Sequence, residues 1–243
     1  MFRQSPRQPA LTRRAFRLFS AWHDQSMGKA SRRRAENRTK TTMRPVRPPV
    51  ITRPLTQGDL PQVMPLLKDV IVQDTAQALA IYLEEPSTAN RFPAAFVAEL
   101  DRQVVGVVAG VGANLQLPRL EVPPEQAAQR IGLLDILAVH PGHQGSGIGA
   151  LLCDLLLESF RERGTRLVLA RVASGRRDLV PVYNRWGWSM GNPSAGVAVQ
   201  VGSQPLALME DPGTRIAWKA LASGVRLSPS GLRGQPPVVS GVF

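Results

Sequence analysis

Apolar and polar positions fall into regular order from Ile51 onward. VITRPLT has the two-residue alternation of a short strand. Asp59 then stands at a helix cap position. Ahead of it, Val63, Met64, Leu67, Val70 and Ile71 recur at helical spacing, and Pro65 predicts a kink because its ring removes a helix hydrogen bond. DTAQALAIYLEE, residues 74–85, predicts a second helix. AAFVAELDRQVVGVVAGVGA predicts two strands folded about a tight turn at Asp101–Arg102. NLQLPRLEVPPEQAAQR is a polar, proline-containing excursion. Leu133–Val139 predicts a buried strand, and the next helix runs from about Gly147 to Arg163 with a stripe of Ile148, Leu151, Leu152, Leu155 and Leu156. Arg166–Val172 predicts another strand and RRDLVPVYNRW a short helix, with GWSM and PLALMED as late strands. After about Ala222 the chain is rich in Gly, Pro and Ser and predicts a flexible tail over 222–243.

Residues 1–50 lack this order. They hold 13 Lys and Arg against 2 Asp and Glu, leaving 17 against 16 for residues 51–243. The net charge of +12 therefore belongs to the first segment, and the remainder is nearly neutral. Such a segment buries too little apolar area to offset its ordering entropy, so residues 1–48 are expected to be disordered. Three readings stay open for this arm: contact with nucleic acid or acidic lipid, an organelle transit peptide, or no role with translation starting at Met27 or Met43. Residues 49–221 are the expected folded domain. The single cysteine, Cys153, excludes an internal disulfide and a cysteine metal cluster, and His23, His140 and His143 offer no ligand spacing. No metal is expected. No run approaches the roughly 20 apolar residues of a membrane helix. A reduced, cytoplasmic setting and no membrane partner are the expectations.

One stretch departs from ordinary patterning. VHPGHQGSGIGALL, Val139–Leu152, places Gly145, Gly147 and Gly149 at alternate positions between a strand and a helix. A helix start leaves main-chain N–H groups unpaired and carries partial positive charge, and glycines let an anion approach them. The stretch is a candidate pyrophosphate cradle; a tight strand-to-helix turn with glycines for packing is the structural alternative. A P-loop would need Gly-Lys-Ser/Thr, which GIGALL lacks. A dinucleotide fold would want an acid after the next strand, where RLVLARVASG has Arg171 and no acid.

LAVHPGHQGSGIGALL resembles the acetyl-CoA signature of the GNAT N-acetyltransferase superfamily, with Gln144, Gly147 and Gly149 in its defined positions. VYNRWGW resembles the family's later tyrosine block through Val182, Tyr183, Gly187 and Trp188. FVAELDRQVVGVVAG resembles its β2–β3 hairpin and TRPLTQGDLPQV its opening strand and helix. Three positions depart from the family pattern: Arg176 replaces a frequent Asn, Pro181 lies inside the tyrosine helix, and Leu133 stands where an acid is common.

The resemblance implies an α/β (α+β) fold with a GNAT-like mixed central sheet, split by a bulge in the fourth strand and flanked by helices. Acetyl-CoA would serve as co-substrate. Its pantetheine arm would pair with main chain at Leu137 and Val139, and its diphosphate would rest on Gln144, Gly145, Ser146, Gly147, Ile148, Gly149 and Ala150. The implied activity is transfer of an acetyl group to an unidentified primary amine by direct attack. Tyr183 is the candidate proton donor to the leaving thiolate, with core packing as its alternative. Asp135, taken by strand alternation to share a face with Leu133, is a candidate base; it could equally hydrogen-bond a neighbour or solvent. The Leu137 amide could polarise the thioester carbonyl. Glu84 and Glu85 could attract a cationic substrate, Trp186, Trp188, Tyr82 and Phe92 could shape an acceptor pocket, and Cys153 is expected to pack in the core. Two other function classes compete: a non-catalytic CoA-binding regulatory module, and a nucleic-acid-associated protein acting through residues 1–48.

Overall fold

The computed structural model describes residues 49–68, 79, 83, 93–113, 124–201, 204–208, 213–228 and 236–243. The expectations for residues 1–48, most of 74–85 and 114–123 lie outside these, as do Tyr82, Glu84, Glu85 and Phe92; Leu79 and Leu83, one turn apart, are helical.

A seven-stranded mixed sheet forms the centre. Its strands are β1 (Ile51–Pro54), β2 (Ala94–Leu100), β3 (Gln103–Gly112), β4 (Ile131–Val139), β5 (Leu167–Ala173), β6 (Ser189–Met190) and β9 (Thr214–Ala220), in the order β1-β2-β3-β4-β5-β9-β6. Only β4 and β5 pair in parallel. The helices are α1 (Leu60–Leu67), α2 (Pro124–Arg130), α3 (Ile148–Glu162) and α4 (Val180–Arg185). The hairpin between β2 and β3 turns on Asp101 and Arg102 with φ of 50° and 65°. Two successive left-handed residues give a turn whose twist matches its strands, here without glycine.

Local chemistry explains the element ends. Asp59 precedes α1 but does not cap it: its carboxylate accepts from the Thr56 N–H (2.9 Å), the Thr56 hydroxyl (2.7 Å) and both Arg53 Nη atoms (2.7 Å each). It closes a capping box on the 3-10 turn Gln57–Asp59 instead. The sequence placed 124–130 in an irregular excursion; those residues form α2, which leads directly into β4.

Helix α3 crosses one face of the sheet. Ile148, Leu152, Cys153, Leu156, Leu157 and Phe160 are buried, whereas Leu151 is 45% exposed. The apolar stripe is thus turned by about one position from the expected one. It packs closely because the sheet beneath lacks side chains: a Cβ at Gly106 would lie 2.9 Å from Leu152, and one at Gly132 2.9 Å from Phe160. Each fully buried large side chain of this kind contributes about 1.5–3 kcal/mol.

The opposite face is covered in two parts. Val63 and Leu67 of α1 pack with Val97, Val107, Ala109, Ile136 and Ala138. A second, four-stranded sheet, order β10-β11-β7-β8, comprises β7 (Val197–Val201), β8 (Gln204–Leu208), β10 (Arg226–Ser228) and β11 (Val238–Ser240). Its Val197, Val199 and Val239 pack on Ile131, Leu167, Leu169, Ile216 and Trp218. The expected flexible tail over 222–243 is therefore corrected: within it, β11 pairs in parallel with β7, and Val239 and Val242 are buried. Arg166 secures the segment by donating from Nε to the Gly241 carbonyl (3.1 Å), and Arg130 by donating to the Val242 carbonyl (3.2 Å). Among the described residues no helix is long and apolar enough to cross a membrane.

Candidate active site

The site grows from the point where β4 and β5 part. Their parallel register runs from Ile131↔Leu167 to Leu134↔Ala170 and then ends, although β4 continues to Val139 and β5 to Ala173. A bulge lies at the same place. Against β3, Gly110 pairs with Leu134 and Ala109 with Ile136, so the register skips Asp135. A one-residue skip inverts which face each side chain takes. Before it, Leu134 packs toward α3 and Ile131 and Leu133 toward the second sheet; after it, Ile136 and Ala138 pack toward α1 while Leu137 and Val139 lie against the α3 cluster. The sequence expectation that Asp135 shares a face with Leu133 assumed unbroken alternation, and the bulge removes that assumption. Asp135 is exposed.

Beyond the bulge, β4 keeps a partner on one side only. The His140 N–H donates to the Val105 carbonyl at 2.8 Å. Alternation in an antiparallel pair then turns the main-chain groups of Ala138 and Ile136 toward β3, and those of Val139 and Leu137 toward the edge that β5 has left. The Val139 carbonyl accepts from Gln144 Nε2 at 3.0 Å. Gln144 thus ties the glycine loop to the strand end.

The loop delivers its amides to the start of α3. Gly145 and Gly147 have φ of 76° and 92°, and a Cβ on either would meet nothing within 4 Å. Gly147 caps the helix, and the Leu151 N–H makes the first intrahelical bond, to the Gly147 carbonyl at 3.1 Å. The amides of Ile148, Gly149 and Ala150 precede that bond and have no acceptor within the helix. Ser146 turns its hydroxyl to the His143 carbonyl, and His140 Nδ1 accepts from the Gly142 N–H at 3.2 Å. These bonds shape the loop and leave the helix start as a fixed set of donors at the positive end of a 15-residue helix.

Tyr183 lies on α4, whose short turn is closed by the N–H groups of Trp186 and Trp188 donating to the Tyr183 carbonyl at 3.0 Å each. Its ring is 6% exposed and meets Trp188 edge-on, with centroids 5.6 Å apart and planes at 84°. Burial raises the phenol pKa above its usual value, with a smaller contribution from Cys153. Burial also pushes the Cys153 thiol up to about 11, which keeps it a neutral packing group. Trp186, a candidate for the acceptor pocket, packs beside the helix start, where a Cβ on Gly149 would lie 3.3 Å from its ring, and Trp188 is a core residue. Among the described residues no group of acidic, His or Cys side chains could hold a metal ion. Sequence reasoning expected a late strand at PLALMED, which is β8, but missed its assembly with β7, β10 and β11 into a second sheet.

The profile of the acetyltransferase (GNAT) family matches residues 64–188, just over half of the chain. The chain belongs to the GNAT family. No curated protein matches it. Among solved structures, yncA of Salmonella typhimurium, determined with its cofactor acetyl-CoA, matches 75% of this chain and 99% of its own at 16% identity and a TM-score of 0.50. A ribosomal-protein-alanine N-acetyltransferase from Brucella melitensis is 19% identical, covering 70% of this chain and 99% of its own at a TM-score of 0.49. A GNAT-family protein from Desulfovibrio desulfuricans is also 19% identical, over 72% and 100%, at 0.48. The likeness to yncA is one of fold. The GNAT match takes in the glycine loop, the fork and Tyr183, and ends before β6, so the whole second sheet lies beyond it.

Proposed function

We infer that the protein is an acetyl-CoA-dependent N-acetyltransferase that acetylates a primary amine by direct attack. The observation that carries this reading is the fork of β4 and β5 beside the glycine-capped start of α3. The amides of Gly145, Gly147, Ile148, Gly149 and Ala150 suit a diphosphate, whereas the Ser146 N–H donates to the His143 carbonyl at 3.4 Å, and no Cβ occupies the space above Gly145 and Gly147. The outward main chain of Leu137 and Val139 suits an extended, amide-bearing arm, as an added strand would be held. Gln144 acts through position, since its side chain is spent on Val139.

Bound acetyl-CoA would supply the activated thioester. The chain's residues would then divide three tasks. The Leu137 N–H donates to the carbonyl oxygen as charge builds there. Asp135 takes the proton that an ammonium, with a pKa of about 10.4, must lose before its nitrogen can attack. As the new N–C bond forms and the C–S bond breaks, Tyr183 gives its proton to sulfur. Burial raises the proton affinity of the phenol. It raises that of a thiolate formed beside it as well, so the donor and acceptor stay matched. The test is release of CoA thiol from acetyl-CoA across a panel of amines, alongside calorimetric binding of acetyl-CoA. Binding without amine-dependent thiol release would leave a CoA-binding module and refute the transferase reading.

A further inference from the structure

The end of the sheet opposite the fork holds a second concave site. β4 and β5 run in parallel, so the fork lies at their far ends and their first residues stand together at the other. There the Arg166 N–H donates to the Arg130 carbonyl at 2.8 Å, joining the start of β5 to the end of α2, and the Leu221 N–H donates to the Arg166 carbonyl at 2.8 Å. The last turn of α3 reaches the same place through Arg161 and Gly164, and between these elements lies a cavity of about 520 Å³. The glycine loop is a whole helix away, since α3 has 15 residues and so spans about 22 Å.

Three arginines line the cavity: Arg130, Arg161 and Arg166. Each has a structural partner, and each keeps a nitrogen beyond it. Arg130 commits Nη1 to the Val242 carbonyl and Arg161 commits Nη1 to Glu158, which leaves Nε and Nη2 of both. Arg166 commits Nε to the Gly241 carbonyl and Nη2 to the Ser223 carbonyl at 3.5 Å, which leaves Nη1. Among the described residues these remaining nitrogens have no acceptor. Arg161 is exposed, and no nitrogen of Arg130 or Arg166 is among the buried unpartnered atoms, so the spare donors reach solvent.

The charge of the site is unbalanced. Among the described residues no acid lines it. Glu158 pairs with Arg161 at 2.8 Å, whereas Arg130 and Arg166 form no ion pair among the described residues. Two guanidinium charges are thus left without a counter-charge. A phosphate monoester carries close to two negative charges above a pKa of about 6, and its oxygens accept in pairs from planar guanidinium forks. Leu221 and Ala222 supply an apolar stretch of wall for the carbon part of an ester. The Thr165 hydroxyl, also in the lining, is turned to the Gln129 carbonyl at 2.9 Å and leaves the anion to the arginines.

We propose that this cavity binds a small organic phosphate monoester, with Arg130, Arg161 and Arg166 on the phosphate and Leu221 and Ala222 against its carbon part. The site is separate from the fork and does not depend on the acetyl-transfer reading.

Amide nitrogen–proton spectra of the full chain, titrated with phenyl phosphate and with inorganic phosphate at about pH 7.5, where both are mainly dianions, test this. Both should give saturating shifts at Arg130, Gly164, Thr165 and Arg166, with phenyl phosphate binding at least about tenfold more tightly. Sodium chloride at matched ionic strength should give no saturating shift there. Arg130→Gln and Arg166→Gln should each weaken phenyl phosphate at least about tenfold. Both of these arginines also hold the C-terminal segment, so Arg161→Glu, at an exposed position, is made as well; it should weaken binding at least about tenfold with an unchanged melting curve. Shifts that do not saturate, that chloride reproduces, or that are confined to the helix start from Gly145 to Ala150 would overturn the proposal. So would full phosphate affinity in Arg161→Glu. Equal affinity for phenyl phosphate and inorganic phosphate would overturn the assignment to an organic ester.

Discussion

Gly147→Ala separates a cradle from a turn, provided that it is compared with Gly164→Ala. The two glycines sit at opposite ends of α3 with φ of 92° and 85°. A Cβ on Gly147 would meet nothing within 4 Å, and one on Gly164 would meet only Gln129 Nε2 at 3.8 Å, so neither methyl clashes. Each substitution should therefore cost the same thing, the strain of a left-handed alanine, about 1–2 kcal/mol of folding stability. Denaturant melts should show equal losses. Ligand binding should not be equal. At Gly147 the methyl enters the space above the unpaired amides of the helix start, where it would hold a diphosphate away from donors worth about 1.5–3 kcal/mol each when charge-assisted. Acetyl-CoA should bind Gly147→Ala at least about tenfold more weakly, or about 1.4 kcal/mol. Gly164→Ala, at the far end of the helix, should bind as wild type does. Calorimetry reads both affinities. The same affinity in the two variants would mean that the glycines serve the turn alone.

Two further outcomes follow from single residues. Tyr183→Phe should bind acetyl-CoA as wild type does and turn over about a hundredfold more slowly, the usual effect of losing a positioned proton donor. Because the folded phenol is raised by burial, the wild-type rate should hold past the ordinary tyrosine value of about 10 before any alkaline decline, and an unchanged rate in the variant would remove Tyr183 from the chemistry. Asp59 is held below the usual carboxylate range, chiefly by its hydrogen bonds from Arg53. Its folded pKa is lower than its unfolded one, so its stabilisation is complete above the unfolded value of about 3.9 and is lost as pH falls below it. Asp59→Asn should cost about 1–3 kcal/mol at neutral pH and flatten the acid limb of the stability curve. A limb of unchanged slope would assign it to other carboxylates.

The parts legible in the sequence are those set by local pattern. The glycine loop, the hairpin at Asp101–Arg102 and the bounds of α3 each follow from residues within one short window. The phase of α3 was misjudged because a run of leucines offers several equivalent stripes, and only packing over Gly106 and Gly132 selects the one that buries Cys153 and Phe160 while leaving Leu151 out. The bulge at Asp135 depends on register with β3, and no residue in LLDILAV marks it. The resemblance to a family supplied the split; the residues alone did not. The C-terminal strands were hidden by composition. β11 is three residues long, and its place depends on parallel pairing with β7 some 40 residues earlier, a contact that periodicity cannot signal.

The most direct measurement of the central claim is an amide nitrogen–proton spectrum of the full chain, titrated with acetyl-CoA. The largest shifts should fall on Gly145, Gly147, Ile148, Gly149 and Ala150 at the helix start, and on Leu137 and Val139 along the open edge of β4. The amides of Ala138 and Ile136, turned toward β3, should move less. Strong shifts elsewhere with these seven unmoved would contradict the account, because the ligand would then be bound outside the fork.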